Sequence, residues 1–330
     1  MHKLLTNFKS TRTLASWIAS LFVLHLISKL FSFDALNAWI EQLDQHQLID
    51  FFLPSELEIV FVLTIIALYP IGYYISKYQN QKNINLSDIM AALRNNEIDV
   101  VFVPKKSLDD MTIVGVECLP RWHHKKYGLL SAEEFMSVAE SNDKIMKSMT
   151  SYIVARAAEA YAELKSHGFD IEMAVNVTKA DLIDTSIVTT ITNSLSRHKM
   201  PAEKLVLEVT ETAIMHNLEV SIKLLINLDS SGSKISLDDF GTGHSSFLYL
   251  KHFPIREIKI NKMFTTKLKY DKDTKQIVHT TIQLAHDIGA RIVADGVSDK
   301  TTESILKELG CDYVQGPYIS GPRTVEELLK

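Results

Sequence analysis

The amino-acid sequence of this chain predicts an α/β fold, a closed barrel of alternating strands and helices that follows two N-terminal transmembrane helices. Three observations support this prediction. Two long apolar segments lie near the N-terminus, β-rich and helix-like segments alternate over the remaining residues, and nearly every predicted strand ends in a polar or charged side chain.

Two segments near the N-terminus are apolar enough to cross a lipid bilayer, namely residues 14–31 and 57–76. About 20 apolar residues span the hydrocarbon layer as a helix. The connecting residues 32–56 contain no Lys or Arg, whereas basic residues precede the first segment and follow the second. The positive-inside rule then places both termini in the cytoplasm. We therefore expect residues 1–82 to form an anchor in the inner (cytoplasmic) membrane with a short external loop; a cleaved signal peptide and a pair of buried core helices are the alternatives.

Residues 83–330 are predicted to form one cytoplasmic domain in which strands and helices alternate. The spacing of apolar residues predicts helices over residues 133–138, 146–164, 185–197, 218–228, 274–288 and 301–309. Between most of them lie short β-rich segments: VVFVP, TIVGVE, EMAVNV, KLVLEV, KISLDD, EIKIN, RIVADG and YVQG. Such alternation predicts parallel βαβ units. Eight such strands in about 250 residues is the usual size of a TIM-type barrel.

Polar side chains at the strand ends favour a closed barrel over an open sheet. In barrel enzymes the catalytic groups lie at the C-terminal ends of the strands, whereas an open doubly wound sheet concentrates them near one crevice. Here consecutive predicted strands end in Glu117, Asn176, Glu208, Asp238 with Asp239, Lys259, Asp295 and Gln315. A solvated strand end explains any one of these residues, but it explains the whole series poorly.

Composition excludes two classes of function. The net charge of −5 gives no basic excess, so binding of a DNA or RNA polymer is not expected. The two cysteines, Cys118 and Cys311, are too few for a disulfide framework or a thiolate zinc site. We expect both to be reduced thiols with a structural role.

The predicted strand ends carry the chemistry of a divalent-metal site. Glu117, Asn176, Glu208, Asp238 and Asp239 supply only oxygen ligands, which suit Mg²⁺ or Mn²⁺. Adjacent carboxylates can hold two ions, and two ions clamp the attacking and leaving oxygens of a phosphodiester. A neighbouring lysine would stabilise the negative charge of the transition state. Enolase-like proton abstraction and glycoside hydrolysis stay open at this point, because a barrel does not determine function.

The same residues lie in motifs that resemble the EAL family of cyclic di-GMP phosphodiesterases, over nearly all of residues 83–330. The family signature Glu-x-Leu-x-Arg appears as Glu117-Cys118-Leu119-Pro120-Arg121. Further matches follow in the family's order: Val175–Thr178, Glu208–Glu211, Asp238–Ser246, Lys259-Ile260, Ala294–Val297 and Gln315-Gly316. The stretch DDFGTGHSS, with these partners in order, is highly specific.

The resemblance implies hydrolysis of cyclic di-GMP to linear pGpG with two Mg²⁺ or Mn²⁺ ions, by a homodimer formed through the EAL domain. It implies that the first metal is bound by Glu117, Asn176, Glu208 and Asp238, and that the second is held by Asp238 and Asp239. The implied catalytic residues are Lys259 beside the attacking water, Asp295 at the second metal and Glu211, which fixes the loop 240–246. The implied substrate-binding residues are Arg121, whose planar fork suits a phosphate, together with Leu119 and Gln315.

Some positions depart from the family pattern. Asp295 stands where the family has Glu and is one methylene shorter; misplacement by about 1 Å can cost roughly a hundredfold in rate. Val103 and Asn261 replace a Gln and an Asp of the family. No first-metal ligand is lost, so hydrolysis is the favoured function. The alternative is a degenerate EAL domain that binds cyclic di-GMP or a protein partner at the membrane without cutting it.

Overall fold

The computed structural model describes residues 82–241 and 253–330. The predicted transmembrane segments 14–31 and 57–76, and most of the glycine-containing loop after Asp239, lie outside the described residues. In the part of the chain that is described, no helix combines the length and the apolar character needed to span a membrane. Residues Ile84–Lys330 form one compact unit.

The core of this unit is a closed barrel. Among the described residues there are nine strands: β1 (Ile98–Ser107), β2 (Ile113–His124), β3 (Gly128–Ser131), β4 (Glu172–Val177), β5 (Leu205–Thr210), β6 (Lys234–Phe240), β7 (Ile255–Ile260), β8 (Arg291–Ala294) and β9 (Tyr313–Val314). The order around the ring is β1-β9-β8-β7-β6-β5-β4-β2, and β1 pairs with β2 to close it. The predicted eight-stranded barrel is confirmed; β3 pairs with β2 outside the ring.

One strand does not follow the predicted parallel arrangement. β1 pairs antiparallel with both β2 and β9, while the remaining ring strands are parallel. The reason is the connection: a short turn joins β1 to β2, with the Ser107 amide donating to the Thr112 carbonyl at 3.0 Å. A parallel pair needs a crossover of a dozen or more residues, which this turn does not provide.

Helices pack around the barrel and match the predicted ones to within a few residues. Within the described residues they are α1 (Leu86–Arg94), α2 (Ala132–Ala139), α3 (Asp143–Ser166), α4 (Lys179–Leu182), α5 (Ser186–His198), α6 (Glu211–Met215), α7 (Leu218–Ser230), α8 (Lys262–Thr265), α9 (Lys272–Asp287), α10 (Lys300–Glu308) and α11 (Val325–Leu328). Side-chain caps set several starts; Asn142, for example, accepts from the Ile145 amide at 3.2 Å. Helix α1 was missed because it is only nine residues long and directly follows a polar stretch of the sequence.

Alternation along the strands separates the barrel interior from the helix layer. Ile258 and Ile260 of β7 belong to the hydrophobic core under the helices, whereas Glu257 and Lys259 face the interior and bond across it. Because successive side chains point to opposite faces, every second residue of a ring strand lines the barrel. This alternation brings the polar strand ends together at one mouth.

The opposite end of the barrel is closed by a second charged cluster that the sequence did not reveal. Lys105 Nζ lies 2.7 Å from Glu257 Oε2, and this ion pair spans the barrel interior from β1 to β7. Arg291 and Lys234 both contact Glu172 Oε1, at 2.9 and 2.6 Å. Charged groups so deeply buried require such pairing, so this cluster is the polar floor of the barrel.

Candidate active site

Glu117 is the centre of the polar mouth. It lies on β2, buried among interior-facing side chains. Its Oε1 accepts from Asn176 Nδ2 on β4 at 3.1 Å. Its Oε2 accepts from Lys259 Nζ on β7 at 2.8 Å and from Gln315 Nε2 after β9. Side chains from four strands of the barrel therefore meet at one carboxylate. Glu117 was predicted to end its strand, but β2 continues to His124, so Glu117 lies within it.

Lys259 joins this carboxylate to a second one. Its ammonium also donates to Glu208 Oε2 on β5 at 3.2 Å, and both side chains are almost completely buried. Burial alone would lower the pKa of Lys259, but the carboxylates of Glu117, Glu208, Asp238 and Asp295 outweigh it and raise the pKa well above its ordinary value. Lys259 is therefore a fixed positive charge at neutral pH.

The two glutamates differ in electrostatic environment. Burial raises the pKa of Glu117, yet the charge of Lys259 and the hydrogen bonds from Lys259, Gln315 and Asn176 bring it below its ordinary value. Burial raises the pKa of Glu208 well above its usual range, with Lys259 opposing and the Glu117 and Asp238 carboxylates adding to the rise. Several carboxylates therefore crowd around one ammonium, and burial and the neighbouring carboxylates both favour the neutral form of Glu208.

Asp238 and Asp239 follow each other at the end of β6, where the pairing with β7 becomes irregular. Asp239 has a left-handed backbone with φ of 55°, and its amide donates to Asp238 Oδ1 at 2.7 Å. The left-handed residue lets two adjacent carboxylates serve one site, since in a regular strand they would point to opposite faces. Burial raises the pKa of Asp238, which the charge of Lys259 opposes.

Asp295 lies at the end of β8 and is held through its main chain. Its amide donates to the Ile260 carbonyl at 3.1 Å, and its carbonyl accepts from Thr265 Oγ1 at 2.6 Å. Burial raises the pKa of its carboxyl, against the effect of Lys259. Asp295 and Lys259 therefore interact electrostatically at the mouth of the barrel.

The predicted substrate residues lie on the same strand as Glu117. Leu119 and Arg121 follow it at intervals of two along β2, so the three share the interior-facing side. Both are half-buried, and the Arg121 guanidinium donates to the Pro120 carbonyl at 2.9 Å. Arg121 thus has donors left for an anionic group, because a guanidinium carries five N–H groups.

Glu211 begins helix α6, directly after β5. Its predicted partner, the loop 240–246, falls outside the described residues beyond Gly241, so its role stays a prediction.

The oxygen-bearing side chains of the mouth are the kind that bind a divalent cation. Glu117, Asn176, Glu208, Asp238 and Asp239 offer hard oxygen ligands, as Mg²⁺ and Mn²⁺ require. In residues 82–241 and 253–330, no three acidic, His or Cys side chains converge into a preassembled cation cluster. Lys259 bonds both Glu117 and Glu208 instead. The oxygen donors are of the type that suits such an ion, but in the described residues they bond Lys259 and neighbouring residues rather than forming a ready-made cation cluster.

Comparison with known proteins identifies the domain. Residues 86–322 match the profile of the EAL domain. The chain belongs to the EAL domain family. The resemblance seen in the sequence is therefore confirmed.

Named relatives and solved structures extend this finding. The EAL domain is 33% identical over 244 residues to the bifunctional diguanylate cyclase/cyclic di-GMP phosphodiesterase MucR of Pseudomonas aeruginosa, which covers 74% of this chain and 36% of that protein. It is 31% identical over 247 residues to the cyclic di-GMP phosphodiesterase NbdA of the same organism, covering 74% and 31%. The chain thus spans about a third of the length of these relatives.

The solved structure of the PaMucR phosphodiesterase in complex with c-di-GMP superposes with a TM-score of 0.70 at 32% identity, covering 74% of this chain and 98% of that one. The EAL domain protein from Listeria monocytogenes superposes with a TM-score of 0.63 at 28% identity, covering 75% and 97%. These likenesses extend over the whole barrel.

Two residues around the mouth were not predicted as site residues. Asn261 Nδ2 donates to Asp239 Oδ1, and Thr265 holds the Asp295 carbonyl. Asn261 directly follows the Lys-Ile pair of β7, and its signal in the sequence was that it replaces an Asp of the family there. Thr265 carried no signal, because its partner lies 30 positions away along the chain.

Proposed function

We propose that this EAL domain hydrolyses cyclic di-GMP to linear pGpG with the help of two divalent cations, Mg²⁺ or Mn²⁺. The observation that carries the proposal is the convergence of Asn176, Lys259 and Gln315 on Glu117 at the barrel mouth, where Lys259 also bonds Glu208. The structural likeness to a phosphodiesterase in complex with c-di-GMP supports the same substrate.

Each residue has a distinct part in this proposal. Glu117, Asn176, Glu208 and Asp238 hold the first cation, and Asp238, Asp239 and Asp295 hold the second. The cations supply charge neutralisation and activation of a water when bound. Lys259 adds a buried positive charge at the place where a phosphodiester in displacement gains negative charge. Arg121 clamps a substrate phosphate, and Leu119 and Gln315 line the mouth beside it.

The second candidate is a receptor that binds cyclic di-GMP without cutting it. One observation favours it: the short side chain of Asp295 extends from a main chain that is bonded on both sides. Such a residue has little freedom to move its carboxylate toward the second cation. Binding through Arg121 would survive in this case while turnover is lost.

Product formation separates the two candidates. The full-length chain in mild detergent is incubated with cyclic di-GMP and Mg²⁺ or Mn²⁺, and chromatography follows pGpG. The matched blank is Glu117→Gln, which keeps the shape of the side chain and removes its charge. Cation-dependent pGpG that is absent from the blank supports the phosphodiesterase. Binding of cyclic di-GMP without pGpG supports the receptor and refutes hydrolysis.

We further propose that residues 1–82 anchor the domain in the inner membrane and that EAL domains pair as a homodimer. The basis is the sequence pattern of residues 14–31 and 57–76 for the anchor and the family for the dimer. Fractionation of cells that express the chain with and without residues 1–82 tests the anchor. Crosslinking of the full-length chain tests the dimer.

A further inference from the structure

Helix α8 (Lys262–Thr265) contacts both of the neighbouring strand ends that carry second-cation carboxylates. It follows β7 directly, between the end of β6 with Asp239 and the end of β8 with Asp295 in the ring order. Its first contact is made by Asn261, the residue that caps it. Asn261 Oδ1 accepts from the Met263 amide at 2.7 Å, while its Nδ2 donates to Asp239 Oδ1. One side chain therefore ties the start of α8 to the Asp239 carboxylate.

The second contact is made by Thr265 at the end of α8. Thr265 is fully buried, and its hydroxyl lies 2.6 Å from the Asp295 carbonyl and 3.0 Å from the Lys262 carbonyl. A hydroxyl has one proton to donate, and the shorter distance assigns it to Asp295. The Asp295 main chain is thus held by Thr265 on one side and by Ile260 on the other.

The third contact fixes how closely α8 approaches the segment after β8. Gly296 has φ of 73°, and a Cβ on it would lie 2.3 Å from Lys262 Cβ. Glycine at this position permits both the left-handed backbone and the close approach. Helix α8 and the residues that follow β8 therefore pack directly on each other.

Because the side chain of Asp295 is short, this packing determines where its carboxylate lies. An aspartate carboxylate is separated from the main chain by one methylene, so its location follows the position of its own Cα closely. A group that displaces the Asp295 main chain therefore displaces its carboxylate by a similar distance. Partners that orient metal ligands commonly contribute about 10- to 100-fold to metal affinity or activity.

We propose that Asn261 and Thr265 are positioning residues, through which helix α8 sets the locations of the Asp239 and Asp295 carboxylates and hence the affinity for the second cation. This inference rests on the proposed two-cation phosphodiesterase. Neither residue touches the substrate in this scheme; both act through the two aspartates.

Thr265→Val tests the proposal, because valine keeps the shape and removes the hydroxyl. The matched control is Thr266→Val, one position along, where the exposed hydroxyl donates to the Lys262 carbonyl at 2.9 Å and does not bond Asp295. Thr265→Ser restores the donor. Asn261→Ser keeps a capping oxygen for α8 but removes the amide that reaches Asp239.

Mn²⁺ binding to the full-length chain in detergent is followed by electron paramagnetic resonance of the free ion. We expect wild type to bind two ions. Thr265→Val and Asn261→Ser are expected to lower the affinity for the second ion about tenfold and to leave the affinity for the first ion within about twofold of wild type. Thr265→Ser and Thr266→Val should match wild type. In the same samples, kcat for pGpG formation should fall about tenfold in the two weakened variants with KM unchanged.

Three results would overturn the positioning role: Thr265→Val binding like Thr266→Val, equal weakening of both ions in Thr265→Val, or a single bound ion in wild type. The proposed function fails separately. If wild type forms no pGpG but the second ion is selectively weakened in Thr265→Val, the positioning role stands and hydrolysis is refuted. If wild type forms pGpG and Thr265→Val binds both ions normally, hydrolysis stands and the positioning role is refuted.

Discussion

The buried pair Lys105–Glu257 at the floor of the barrel makes a sharp prediction about stability. Both side chains are almost fully buried, and Lys105 Nζ lies 2.7 Å from Glu257 Oε2. Glu257 Oε1 has no hydrogen-bond partner among the described residues, and Arg291 is 4.0 Å from its other oxygen. Lys105→Met therefore leaves a buried carboxylate with a single distant counter-charge. Glu172, the other partner of Lys105 at 3.8 Å, keeps two closer cations.

The expected loss follows from the cost of an uncompensated buried charge. Breaking such a pair costs about 3–5 kcal/mol, whereas replacing both members by apolar residues of similar volume is often neutral or stabilising. We expect Lys105→Met to lose about 3 kcal/mol, at the lower end because Arg291 stays near. The double variant Lys105→Met/Glu257→Met should regain most of that loss.

Urea unfolding of residues 83–330 followed by circular dichroism measures these differences. For a domain of this size, about 3 kcal/mol corresponds to a fall in Tm of roughly 6–12 °C. Lys106→Met is the matched control, because Lys106 is adjacent on β1 and partly exposed on the other face. It should change the free energy of unfolding by less than about 0.5 kcal/mol. Additive losses from Lys105→Met and Glu257→Met in the double variant would refute the reasoning.

Asp295→Glu should raise kcat for pGpG formation by roughly 10- to 100-fold, because the longer side chain extends the reach of the carboxylate; an unchanged or lower kcat would contradict this. Burial raises the pKa of Asp181 above its ordinary 3.8, so the folded domain holds this proton more tightly than the unfolded chain does. The stability that the protonated carboxyl contributes is fully present below the ordinary pKa and is lost as the pH rises through the folded-state pKa. Asp181→Asn should therefore gain stability relative to wild type between pH 4 and 7 in urea unfolding, and a pH-independent difference would argue against it. Burial raises the pKa of Cys311 to about 12 and that of Cys118 well above its ordinary value. A thiol reagent should modify neither cysteine in the native domain and both after unfolding; rapid native modification would show that a thiol is accessible.

Local patterns in the sequence predicted the barrel and most of its mouth. Residues such as Glu117, Asn176 and Lys259 were identifiable because each comes at the end of a short β-rich segment of the sequence, and the carboxyl ends of parallel strands meet at one edge. The helices could be placed because apolar spacing and caps are properties of neighbouring residues. Helix α1 and strand β3 were missed because they are short, at nine and four residues.

Contacts between distant parts of the chain were decided only by the tertiary structure. The ring closes through the pairing of β1 with β9, about 200 residues away along the chain. The Lys105–Glu257 pair spans 152 positions, and the Thr265 contact with Asp295 spans 30. A side chain's own neighbours in sequence determine which face of a strand it occupies, but not which charge lies opposite it across a closed barrel. That choice is made when the ring closes, since only then do the interior faces of all eight strands share one space.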